Sequence, residues 1–143
     1  MIRRLSTPDD VDLAIRTFAL MAEVFEEPGP PLGAPYVATL LSDPTFWAYA
    51  AIDGTDVVAG LTAHTLPMTR NEMREVFLYD IAVHDRHRRR GIGRGLIEAL
   101  REAALAEGIE VVFVPVDDDD DEAIDFYRSL QPVESPVRFF VWE

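Results

Sequence analysis

The sequence predicts an α/β fold on a single mixed, mostly antiparallel sheet flanked by about four helices, and three observations carry that expectation. Phe46–Ile52 and Val57–Leu66 flank Asp53-Gly54-Thr55-Asp56, and an Asp-Gly pair between two apolar runs is a strong hairpin signal. Val76–Val83 is an apolar run that leads through a basic, Gly-containing loop into an amphipathic helix, Ile92–Ala106. Ile109–Val116 is short and nearly all apolar, as a strand covered on both faces would be. Strands and helices in this order belong to one layered α/β unit, expected to span residues 1–143.

In chain order, Ile2–Leu5 reads as a first strand. Thr7-Pro8-Asp9-Asp10 reads as a helix start, with Thr7 as N-cap and Pro8 at the first helical position. Leu13, Ala14, Phe18, Met21, Ala22 and Phe25 recur at helical spacing up to Glu26, and Pro28-Gly29-Pro30-Pro31 stops the helix. Pro35–Leu41 is a second, short helix. After the hairpin and the Val76–Val83 strand, Ile92, Leu96, Ile97, Leu100 and Ala104 form the buried stripe of the next helix, which Gly108 ends. The acidic run Asp117–Glu122 precedes a short helix through Leu130, and Val137–Trp142 is expected to close the sheet.

The composition narrows the function classes. The formal net charge is −13, which disfavours nucleic acid or an anionic membrane as partner and favours attraction of cations. All 13 cationic side chains are arginine, so lysine nucleophiles and lysine-dependent phosphate loops are excluded. Cysteine is absent, which removes disulfides, thiolate catalysis and Cys-based metal sites. No His, Asp or Glu spacing suggests a metal. No apolar window reaches transmembrane length, and Asp9, Asp10 and Asp12 fall where the apolar core of a signal peptide would lie. The cytoplasm is the expected location.

Against that acidic background, Arg86-His87-Arg88-Arg89-Arg90-Gly91-Ile92-Gly93-Arg94 concentrates five of the 13 arginines. A strand, a basic Gly loop and a helix N-terminus together make an anion holder, because unpaired N–H groups and the positive dipole end converge there. A solvated basic turn at a helix start is the plainer reading of the same residues.

The stretch Leu78-Tyr79-Asp80-Ile81-Ala82-Val83-His84 through Arg88-Arg89-Arg90-Gly91-Ile92-Gly93-Arg94-Gly95-Leu96 resembles the acetyl-CoA loop of the GNAT N-acetyltransferase family. Ala123-Ile124-Asp125-Phe126-Tyr127-Arg128-Ser129-Leu130 is similar to that family's closing helix motif, and the order of elements matches the GNAT fold over essentially the whole chain. The resemblance implies that backbone groups of Ile81, Ala82 and Val83 pair with the pantetheine arm of acetyl-CoA. It implies also that the loop residues Arg88, Arg89, Arg90, Gly91, Ile92 and Gly93, with Arg94 beside them, hold the pyrophosphate. Tyr127 would be the acid that protonates the departing thiolate, a role suited to a phenol with a pKa near 10. Packing in the core is the competing reading for Phe126 and Tyr127. The chain departs from the family at Gln131 and Pro132, where a glycine usually follows the leucine.

A closer resemblance, from about Tyr36 to Leu130, is to the type I aminoglycoside 3-N-acetyltransferases. It rests on Thr45-Phe46, Val57-Val58-Ala59-Gly60, Leu66-Pro67, Glu75–Val83 and the acidic run before Ala123. It implies direct acetyl transfer to a polycationic aminosugar, a role in antibiotic resistance, and a homodimer, for which the apolar Val137–Trp142 is available. A polyamine or another small amine would want the same acid-lined cleft. A CoA-binding module without turnover is the alternative of another class.

An amine must lose a proton before it attacks a thioester, so acids near the cleft both bind the cation and take its proton. Glu75, Tyr79, Asp80, Asp117, Asp120 and Asp121 are the expected acceptor-binding residues. Asp80 is the first choice for the base, directly or through a water, and Asp121 the second. On a regular strand Asp80 would face away from Phe77 and Tyr79, so this choice requires a bulge in the strand. The plainer reading of the acidic run is a solvated loop with Asp120 or Asp121 as helix N-cap. His84 and His87 are read as solvent-side, and His64 as a core or sheet-surface residue.

Overall fold

The computed structural model describes residues 1–143. Its elements are β1 (Ile2–Arg4), α1 (Val11–Val24), α2 (Ala34–Ser42), β2 (Phe46–Asp53), β3 (Asp56–Pro67), β4 (Arg74–Val83), a 3-10 turn (Asp85–His87), α3 (Ile92–Ala106), β5 (Val112–Phe113) and α4 (Asp121–Arg128). The sheet order is β1-β2-β3-β4-β5. All pairs are antiparallel except β4–β5, which is parallel, so the sheet is mixed and mostly antiparallel as expected.

Strand alternation divides the core into two layers. Trp47, Tyr49, Leu61 and Leu78 point to the side of Leu96, Leu100 and Ile109. Ala48 and Ala50 point the other way, against Leu5, Ala14 and Val37. Small residues on β2 and β3 let α1 lie close to the sheet. A Cβ added at Gly60 would come within 2.6 Å of both Met21 Sδ and Thr17 Cγ2. Gly60→Ala is therefore expected to cost about 1–3 kcal/mol of stability through overpacking, read by urea unfolding. A variant as stable as the native chain would mean that α1 shifts freely.

Three expectations are corrected. The first helix starts at Val11 with Asp10, not Thr7, at its N-cap, and Pro8 lies in the preceding turn. Asp10 is buried and holds that turn: its carboxylate accepts from the Ser6 N–H at 2.8 Å and pairs with Arg3 at 2.6 Å. The run Ile109–Val116 forms only the two-residue strand Val112–Phe113, with Val111 and Phe113 exposed, because no strand lies beyond it. Val137–Trp142 forms no strand; it is exposed throughout and pairs with nothing in its own chain.

The hairpin closes through Gly54 and Thr55 between the facing residues Asp53 and Asp56. Gly54 takes φ +65°, the left-handed conformation that a tight hairpin turn demands at its first central position.

Candidate active site

The basic loop folds as an anion nest. His84 Nδ1 accepts the Arg86 N–H at 3.2 Å and starts the 3-10 turn. Arg89 and Gly91 then take φ +64° and +76°, and successive turns of this kind aim consecutive N–H groups inward. The first backbone bond of α3 runs from the Gly95 N–H to the Gly91 carbonyl at 2.9 Å. No side chain caps the helix, and the N–H groups of Arg89, Arg90, Gly91, Ile92, Gly93 and Arg94 have no partner in the chain.

The arginines divide the work unevenly. Arg88 is committed to protein groups: Nη1 lies 2.7 Å from Glu122 on α4, Nη2 lies 3.0 Å from Asp85, and Nε donates to the Val83 carbonyl at 3.4 Å. Arg94 donates to the Ser129 carbonyl at 3.3 Å. Arg90 contacts His87 at 3.1 Å and lies 4.0 Å from Asp53. Arg89 alone among the loop arginines makes no such contact. The sequence reading assigned all of them to an anion. The structure instead uses Arg88 and Arg94 to tie the loop and α3 to α4, and leaves the N–H nest with Arg89 open to a diphosphate.

Beside the nest, the sheet opens. β4 pairs with β3 as far as Val83, but it meets β5 only at Val76 and Phe77. From Leu78 onward, including Ile81, Ala82 and Val83, the β5-side edge of β4 has no strand partner. A free strand edge leading into an anion nest fits an extended amide-bearing arm that ends in a diphosphate.

The bulge required for Asp80 is present. Thr62 faces Asp80 and Ala63 faces Leu78, so Tyr79 is the extra residue. Val76, Leu78, Ile81 and Val83 pack in the α3-side core. The bulge therefore turns Asp80 to the opposite face, the side of Phe77 and, by register, Glu75. Burial pushes the Asp80 carboxyl above its usual pKa, and the charge of Glu27 in the loop after α1 adds to the rise. Glu27 went unnoticed in the sequence; nothing in its spacing marks it, and only the fold brings it toward Asp80.

Tyr79 is 59% exposed. It continues an aromatic row on the sheet surface: Phe46, His64, Tyr79, Phe77 and Phe113 follow one another with ring centroids 5.2–5.6 Å apart. His64 is thus a sheet-surface residue stacked among aromatics.

Helix α4 buries no residue completely, yet Phe126, Tyr127 and Leu130 pack on the α3-side core. Phe126 lies over Gly93, where an added Cβ would stand 3.0 Å from its ring. The Tyr127 pKa is pushed up to about 12, first by burial, then by the charges of Asp120 and Asp80. Asp120 caps α4 by accepting the Ala123 N–H at 3.1 Å. Asp117 and Asp121 are exposed, Asp121 as the first residue of α4. The structure thus brings Asp80, Tyr127 and Asp120 together, and leaves Asp117 and Asp121 toward solvent.

The sequence profile of the acetyltransferase (GNAT) family matches residues 14–131. No curated protein matches the chain. The aminoglycoside acetyltransferase meta-AAC0020 from an uncultured soil metagenomic sample, solved in complex with trehalose, is 33% identical, with TM-score 0.94 over 100% of this chain and 95% of that one. The same protein was solved in complex with sisomicin. The aminoglycoside acetyltransferase HMB0005, also from an uncultured soil metagenomic sample, is 34% identical, with TM-score 0.91 over 100% of this chain and 97% of that one. The nest, the opened β4 edge and the profile converge: the chain belongs to the GNAT acetyltransferase family and is an acetyl-CoA-dependent N-acetyltransferase.

Proposed function

We propose that the chain acetylates a primary amine of a polycationic aminosugar, an aminoglycoside, at the 3-N position by direct attack in a ternary complex. The observation that carries this reading is the pairing of Asp80 with Tyr127 at the opened β4 edge, one a carboxyl of raised pKa and the other a phenol that stays protonated. The complex of a 32%-identical neighbour with sisomicin supports the acceptor class.

In this mechanism the N–H groups from Arg88 to Gly93 hold the pyrophosphate, and Arg89 adds charge. Ile81, Ala82 and Val83 align the pantetheine arm through their backbone. Glu75, Asp117, Asp120 and Asp121 attract the cationic acceptor, and Tyr79 offers it a ring face. Asp80 takes a proton from the acceptor ammonium, directly or through a water; Asp121 is the second candidate. As the new N–C bond forms and the C–S bond breaks, Tyr127 gives its phenolic proton to the sulfur. The two groups are coupled. The Asp80 charge raises the Tyr127 pKa, so protonating Asp80 makes the phenol a stronger acid as the thiolate appears. The enzyme is proposed to act in the cytoplasm as a homodimer.

Thiol release with acetyl-CoA, measured across an aminoglycoside panel and spermidine, tests the acceptor. Turnover of gentamicin-like substrates, with NMR of the product placing the acetyl group on the 3-amine, is the expected result. Turnover of spermidine alone overturns the aminosugar, a product acetylated elsewhere overturns the regiochemistry, and CoA binding without turnover of any amine overturns the catalytic reading.

A further inference from the structure

The residues from Gln131 to Glu143 are exposed throughout, and no backbone hydrogen bond ties any residue beyond Gln131 to the rest of the chain. Val133, Val137, Phe139, Phe140, Val141 and Trp142 all stand in solvent, Trp142 at 91%. Aromatic and β-branched residues in such density are strand formers, and a monomer rarely leaves so many exposed together. The connector that leads to them is directed. Gln131 takes φ +59°, Pro132 and Pro136 stiffen the path, and the Arg128 guanidinium grips Glu134 through two bonds of 2.7 and 2.9 Å.

A second orphan lies in the same chain. The run Ile109–Val116 has the composition of an interior strand, yet β5 is the last strand of the sheet, and its far edge is open. Natural edge strands are guarded by charge or bulges, whereas Val111-Val112-Phe113-Val114 carries neither. Arg138 is the only charged residue within Val137–Trp142, and Glu110 and Asp117 flank the β5 run, so the two segments are complementary in charge as well as in apolarity.

We propose that two copies exchange these strands. Val137–Trp142 of one copy adds to the far edge of β5 of a second copy, and the second returns its own strand by the same twofold operation. The exchanged strand lies on the side of β5 away from the opened β4 edge. It covers Phe113 and completes the sheet that each chain leaves unfinished. This inference rests on the homodimer named above and supplies its interface.

Light scattering over a dilution series is compared for the full chain and for a chain ended after Pro136, with amide hydrogen exchange on both. The full chain is expected at twice its 16.1 kDa mass, with slow exchange over residues 111–114 and 137–142. The shortened chain is expected to be a folded monomer with fast exchange over 111–114. A full chain that is monomeric overturns both the homodimer and the exchange, and slow exchange of 137–142 in that monomer assigns the strand to its own sheet. A dimer that survives the truncation overturns the exchange and leaves the homodimer standing.

Discussion

Tyr127→Phe is expected to lower kcat by about 10²- to 10⁴-fold, the usual contribution of a positioned general acid, while acetyl-CoA binds nearly as before. The substitution removes a single hydroxyl and keeps the ring that packs on the α3-side core beside Phe126. Loss of fold therefore cannot mimic loss of the acid, and calorimetric binding of acetyl-CoA provides the control. The phenol, pushed up to about 12 by burial and by Asp120 and Asp80, carries its proton throughout the neutral range. An unchanged kcat would return Tyr127 to the core-aromatic reading.

Asp80→Asn is expected to abolish most activity at neutral pH, by a comparable factor, and to leave a remnant that grows as the acceptor amine deprotonates at higher pH. In the native enzyme, kcat/KM should rise with pH through an Asp80 pKa above the ordinary 3.8. Stability should move the other way. The carboxyl pKa is raised by burial and by Glu27, so the folded state binds the proton more tightly than the unfolded chain does. The stability contributed is present below the unfolded pKa and is lost as pH rises through the folded one, which leaves a net cost at neutral pH. Asparagine removes that cost, so Tm at neutral pH should rise while activity falls, as at many sites where catalysis opposes stability. A variant that loses activity and stability together would make Asp80 a structural residue. If Asp121→Asn shows the activity loss in its place, the base is Asp121. Asp80→Asn should also lower the Tyr127 pKa, because it removes one of the charges that raise it.

The legible parts of the fold were those written in consecutive residues. β4 ends at Val83, and α3 spans Ile92–Ala106, as the apolar run and the helical stripe foretold. The hairpin around Gly54 and the short helix near Pro35 followed from turn chemistry and proline placement. The errors came where a tertiary partner decides. Thr7-Pro8 has the look of a helix start, but a buried Asp10 bound to Arg3 and Ser6 delays the helix. Ile109–Val116 and Val137–Trp142 both have strand composition, but a strand needs an edge to pair with, and a single chain does not supply one to either.

The site divides along the same line. The sequence by itself determined the anion-binding half, because six successive backbone N–H groups need only a left-handed residue, a glycine and a helix start, all within one short loop. It also determined the acidic charge that draws a cationic acceptor. Only the tertiary structure decided the proton-transfer half. A bulge at Tyr79 turned Asp80 to the other face of the sheet, the packing of Phe126 against Gly93 set α4 and Tyr127 beside the opened strand, and the Arg88–Glu122 pair tied the two halves together. Burial and distant charges set the pKa values of Asp80 and Tyr127, and neither has a local signature in the chain.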